Sequence, residues 1–107
     1  KPVASYRYRN GLRKRYQVGE YMRFMLDVPE DLHSEPVAPR VVIVAATESK
    51  QNNATRIRQF QLARKNPNTV EMLVPDQPGK YVLRVDFSFQ FDSSSIEEFE
   101  VVPAEKK

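Results

Sequence analysis

The chain has no cysteine and no tryptophan, one histidine and three glycines in 107 residues. The missing thiols exclude disulfides, thiolate metal sites and cysteine nucleophiles. They leave the compartment open, because many extracellular β-domains also lack disulfides. With only His33, a Ser-His-acid set is not expected, and this loop histidine reads as a solvated side chain. Each glycine stands alone at a turn, so no glycine-rich loop is present to cradle phosphate. No apolar run approaches the roughly 20 residues of a membrane span, and the N-terminal stretch lacks the apolar core of a signal peptide. The neighbouring acids Glu30-Asp31 and Glu97-Glu98 are expected to be solvated rather than catalytic. These absences predict a protein that is not an enzyme, with no catalytic, cofactor or metal site, and with no small-molecule ligand. They slightly favour an intracellular setting. A length of 107 residues predicts a single domain, residues 1–107, and a first residue of Lys1 rather than Met predicts that it is excised from or processed out of a larger protein.

What the chain does have is period-two alternation. From Tyr81 the residues Leu83, Val85, Phe87, Phe89 and Phe91 fall on every second position, with Val82, Arg84, Asp86, Ser88 and Gln90 between them. In an extended chain that spacing puts one apolar row on one face, and Pro78-Gly79 just before it is a turn signal. The other strands follow the same logic. Residues 2–9 place Tyr6 and Tyr8 on one face, and Asn10-Gly11 then reads as a hairpin turn. Residues 20–28 put Met22, Phe24, Leu26 and Val28 on one side. Residues 29–39 form a loop by composition, and the apolar run 40–47 reads as a strand buried on both sides or at a sheet centre. A polar loop, 48–54, leads to an edge strand at 55–63, where arginines share a face with Phe60 and Leu62. Residues 69–74 direct Val70, Met72 and Val74 inward, a turn is expected at 92–95, and 96–102 closes the sheet with Phe99 and Val101 inward. The prediction is an all-β, seven-stranded antiparallel sandwich whose core includes Phe24, Leu26, Leu83, Val85 and Phe87.

Asp76-Gln77-Pro78-Gly79-Lys80-Tyr81 carries the most specific signal. It resembles the tyrosine corner of immunoglobulin-like sandwiches, in which a tyrosine opening the sixth strand bonds back to the backbone. The resemblance implies structural roles for Asp76, Gly79 and Tyr81. It also places Leu83 where antibody domains carry their second cysteine. Val37-Ala38-Pro39, Val41-Val42-Ile43-Val44 and Val70 to Pro75 extend the likeness. Together they are similar to the immunoglobulin-like module that ends spliceosomal DExH helicase cassettes and the ER translocation J-protein. Fibronectin type III and macroglobulin-type domains share most of these features. The resemblance implies an immunoglobulin-like fold serving as an interaction or structural module without catalysis.

The net charge of +3 conceals an asymmetry: residues 1–16 hold six bases and no acid, whereas residues 71–107 hold eight acids against four bases. Arg7, Arg9, Arg13, Lys14 and Arg15 are therefore candidate partner-binding residues on a basic hairpin, with Tyr6, Tyr8 and Tyr16 nearby. Three functions follow as expectations. The first is a non-catalytic protein-interaction or structural module of a larger protein or assembly, meeting a protein partner or neighbouring domains. The second is an accessory domain contacting nucleic acid through residues 7–15. The third is a secreted or cell-surface adhesion domain, suggested by the glycosylation sequon Asn53-Ala54-Thr55. Glu97, Glu98 and Glu100 decide between the first two: beside the basic segment they would neutralise it internally.

Overall fold

A computed structural model describes residues 3–88 and 90–105. It is all-β, with eight strands rather than the expected seven: β1 (Arg7–Arg9), β2 (Arg15–Gln17), β3 (Tyr21–Asp27), β4 (Arg40–Ala45), β5 (Arg58–Gln61), β6 (Asn68–Leu73), β7 (Gly79–Phe87) and β8 (Gln90–Val102). They form a three-stranded sheet in the order β1-β3-β6 and a five-stranded sheet in the order β2-β8-β7-β4-β5. Two short 3-10 turns, Glu30–Ser34 and Ala46–Glu48, are the helical elements among the described residues.

The extra strand arises where a hairpin was expected. β1 runs antiparallel to β3, with Arg7 opposite Asp27, whereas β2 joins the other sheet and runs parallel to β8, with Arg15 opposite Glu100. Asn10 and Gly11, at φ of 60° and 122°, carry the chain from one sheet to the other. A side chain at position 11 would collide with the Arg23 carbonyl oxygen, so glycine is required both by backbone conformation and by space. The expected purely antiparallel arrangement is therefore corrected at β2, and the basic stretch 7–15 is a crossover, not a hairpin.

The aromatic alternation that predicts one strand through Phe91 crosses a reversal. β7 stops at Phe87, Ser88 takes a φ of 35°, and Phe91 returns in β8 opposite Asp86. Phe89 lies outside the described residues, as do Lys1, Pro2, Lys106 and Lys107. The turn expected at 92–95 is a bulge inside β8 instead. Leu83 pairs with Glu97 and Val85 with Asp92, so residues 93–96 loop out opposite Arg84. Buried Ser95 mends the ladder there, its hydroxyl accepting from the Val85 N–H at 2.7 Å and donating to the Asp92 carbonyl at 2.6 Å.

Both sheets contribute to one core, an arrangement compatible with a β-sandwich. Met22, Phe24, Leu26, Val70 and Met72 of the smaller sheet share a cluster with Val41, Ile43, Leu83, Val85, Phe99 and Val101 of the larger. Phe24, Leu26, Leu83 and Val85 are buried as expected, but Phe87, near the end of its strand, is half-buried at the margin of that cluster. β4 is buried on both faces, as its unbroken apolar run implies: Val42 and Val44 point away from the main core into a second cluster with Ala54 and Val82. The segment between β4 and β5 thus covers the outer face of the larger sheet. The Asn66 side chain closes the end of β3, accepting from the Val28 N–H at 2.9 Å and donating to its carbonyl at 2.8 Å.

Candidate interaction surface

The crossover divides the five candidate cations between two places. Arg7 and Arg9 lie on β1, on the outward face of the three-stranded sheet, since Tyr8 between them turns inward against Phe24. Arg13, Lys14 and Arg15 lie at the margin of the five-stranded sheet beside β8, where the Lys14 carbonyl accepts from the Glu100 N–H at 2.9 Å. Three of the five are paired with acids. Arg9 forks onto Asp27, with contacts of 3.0 and 3.2 Å, Arg13 meets Glu20 at 2.7 Å, and Arg15 meets Glu100 at 3.4 Å. Glu97 and Glu98 line a depression together with residues 8–14.

These contacts shift proton affinities in the directions expected of ion pairs. The hydrogen bond to Glu20 raises Arg13 further above its ordinary value. The Gln17 backbone N–H and then Arg13 hold Glu20 below the usual carboxylate range. Arg13 also lies 4.4 Å from the Tyr16 ring centroid, and its N–H donates to the Tyr16 hydroxyl at 2.9 Å. The segment is tied to the fold as much as it is displayed.

The outward face of the three-stranded sheet presents a different set of side chains. Because Met22, Phe24 and Leu26 turn inward, Tyr21, Arg23 and Met25 turn outward on β3. Their register neighbours are Leu73, Glu71 and Thr69 on β6. Tyr21 is 50% exposed, and Arg23 lies 5.7 Å from its ring centroid while pairing with Glu71. That hydrogen bond to Glu71 raises the Arg23 proton affinity. Arg9 and Asn10 both reach the Met25 sulfur, at 3.6 and 3.0 Å. Tyrosine, arginine and methionine are the side chains enriched where proteins meet. Here they are held in order by cross-strand neighbours. The period-two pattern of β3 indicated which side chains face outward, but not that β6 would complete the patch.

The Tyr81 hydroxyl donates to the Gln77 carbonyl at 2.6 Å, a bond running four residues backward. Gly79 lies against the Tyr81 ring. Asp76 points elsewhere, pairing with Arg58 at 3.2 Å. Tyr81 itself stacks near Phe99, with ring centroids 5.9 Å apart.

One cluster was not foreseen. Arg84 and Asp86, which alternate with apolar residues on β7, are both fully buried. Asp86 accepts from Arg84 at 2.8 Å and from Arg56 at 2.8 Å. Arg84 also donates to the Ser49 carbonyl at 2.9 Å, and its guanidinium lies 4.4 Å from the Phe91 ring centroid. The signal was available in β4: apolar residues on both its faces require a covering layer on the outer side, and β7 is the next strand. His33 also departs from expectation, since its side chain is mostly buried. Its Nδ1 lies 3.6 Å from the Glu30 carboxylate, and its Nε2 has no hydrogen-bond partner among the described residues.

Among the described residues, no group of three or more His, Asp or Glu side chains converges as metal ligands would. Nor, among the described residues, is any helix long and apolar enough to cross a membrane. In comparison with known proteins, the chain matches no family model and no curated sequence.

Proposed function

We propose that the chain is an immunoglobulin-like sandwich acting as a non-catalytic protein-interaction or structural module. Its partner would dock on the outward face of the three-stranded sheet. The fold reading draws support from strand order. β8-β7-β4 corresponds to G-F-C of immunoglobulin-like domains, and β1-β3-β6 to A-B-E. If β1 and β2 are counted as one strand divided between sheets, Tyr81 opens the sixth strand, and its hydroxyl makes the backward bond of a tyrosine corner. Fibronectin type III domains fit this reading, since they too do without the inter-sheet disulfide, and here Leu83 is buried in the core at the cysteine position.

The observation that carries the functional reading is Tyr21: a large aromatic side chain half in solvent, held beside Arg23 on the outward face of β3. The pairing of Arg9, Arg13 and Arg15 with carboxylates weighs against the nucleic-acid reading, because cations already matched release fewer counterions on meeting phosphate. A photo-crosslinking amino acid at position 21 tests the proposal, with position 50 in a loop of the other sheet as control. A discrete protein adduct from position 21 alone, lost on Arg23→Ala, is expected. Equal labelling from both positions would reject this surface.

A further inference from the structure

We infer that Asn53 is an acceptor for an N-linked oligosaccharide. This rests on observations separate from the docking face. Asn53-Ala54-Thr55 is the one Asn-x-Ser/Thr triplet in the sequence with x other than proline. A sequon can be buried, strand-bound or engaged, and any of these would make a glycan incompatible with the folded domain. Here it is none of them. Asn53 sits in a turn after the Ala46–Glu48 helical turn and before β5, and both Asn53 and Thr55 are exposed. Neither the Asn53 amide nor the Thr55 hydroxyl has a hydrogen-bond partner in the fold among the described residues, whereas neighbouring groups are engaged. Ala54 between them is buried with Val42, Val44 and Val82, and its N–H donates to the Gln51 carbonyl at 3.3 Å. The Thr55 N–H donates to the Glu48 carboxylate at 3.2 Å. The backbone is therefore anchored while the two side chains that the transfer requires both face solvent.

In the transfer, the Asn53 amide nitrogen forms a bond to the anomeric carbon of a lipid-diphosphate-linked oligosaccharide. The bond from that carbon to the diphosphate oxygen breaks, the lipid diphosphate departs as leaving group, and the amide gives up one proton to the transferase's base. The glycan would project from the outer side of the five-stranded sheet, so the Tyr21 face on the other sheet stays uncovered.

The test is secretion of the chain behind a cleavable signal peptide from glycosylating eukaryotic cells, followed by intact mass before and after peptide-N-glycosidase. We expect a glycan that the enzyme removes, converting Asn53 to aspartate. Asn53→Gln and Thr55→Ala should abolish it, and Thr55→Ser should retain it. Circular dichroism and urea midpoint should match between the glycosylated protein and Asn53→Gln, because neither side chain contributes to packing. Folded, secreted protein with unmodified Asn53 would overturn the inference. So would a glycan that persists in Thr55→Ala, or one whose presence prevents folding.

Discussion

At the residue scale, the buried ionic cluster on β7 is the most demanding feature. Arg84 is inaccessible to water, and a single carboxylate, Asp86, faces both Arg84 and Arg56. The surplus guanidinium N–H groups go to carbonyls of the covering segment and of Ser88. A charge left in such a place without its counter-ion is costly, more so than the pair is stabilising when intact. We therefore expect Asp86→Ala to destabilise the fold by about 3–5 kcal/mol in urea unfolding. A loss below about 1 kcal/mol would mean that the covering segment opens and hydrates Arg84. Tyr81→Phe probes a single bond, from the Tyr81 hydroxyl to the Gln77 carbonyl. Removing it should lower stability by about 0.5–1.5 kcal/mol, the usual net value of one hydrogen bond. An unchanged midpoint would reduce Tyr81 to an apolar anchor stacked on Phe99.

At the scale of elements, β1 is too short to hold by its own ladder, and Tyr8 within it and Tyr6 just before it fasten it. The Tyr6 hydroxyl donates to Asp92 at 2.7 Å and the Tyr8 hydroxyl to the Ser95 carbonyl at 2.6 Å, both on β8 of the other sheet. Burial, then the Asp92 hydrogen bond, raises Tyr6 above its ordinary 10.0, and burial, then the Glu97 charge, raises Tyr8 above the same value. A proton held more tightly in the folded state contributes stability that is complete below the unfolded pKa and is lost progressively as pH rises from there toward the folded pKa. Stability should thus fall as pH rises past 10.0, where the unfolded phenols ionise and the folded ones do not. The double variant Tyr6→Phe/Tyr8→Phe should be less stable at neutral pH and show a flatter alkaline limb, followed by urea midpoint against pH. Parallel limbs for the two proteins would deny the fastening role. Asp92 behaves in the opposite sense. Burial pushes it up, but hydrogen bonds from Ser94 and Tyr6 outweigh that and hold it below its ordinary 3.8, so its contribution is lost in acid. Of these elements, β3, β4 and β6 were legible in sequence because each alternates or runs apolar between its own turn signals. β2 was not, since three residues carry no sign of the sheet they will join. The end of β7 was hidden because its alternation continues, by coincidence of register, into β8.

At the scale of the molecule, the opposite charges of the two ends are matched only in part. Of the basic N-terminal stretch, which in sequence reads as a binding device, Arg13, Lys14 and Arg15 lie beside β8, where Arg15 meets Glu100. Arg9 pairs instead with Asp27 on the other sheet, and Arg13 with Glu20. Proximity across 85 residues, as between Arg15 and Glu100, depends on the crossover and on parallel pairing. Neither is written in local pattern, so the candidate site was legible in composition and illegible in context. Exposed pairs of this kind each contribute less than about 1 kcal/mol, but several in one neighbourhood set the sign of the local field. Replacing Arg13, Lys14 and Arg15 together with Ser would strip Glu20 and Glu100 of their ion-pair partners and leave Glu97 and Glu98 without the nearby Lys14. We expect that variant to be modestly less stable at low salt, with the deficit shrinking as added salt screens the remaining carboxylates over roughly 10 Å. The unaltered chain should bind polynucleotide weakly at physiological salt. A melting curve that the triple substitution leaves unchanged at every salt concentration, together with steeply salt-dependent polynucleotide binding that the substitution abolishes, would reverse the conclusion. Those cations would then be spare to the fold and available to phosphate.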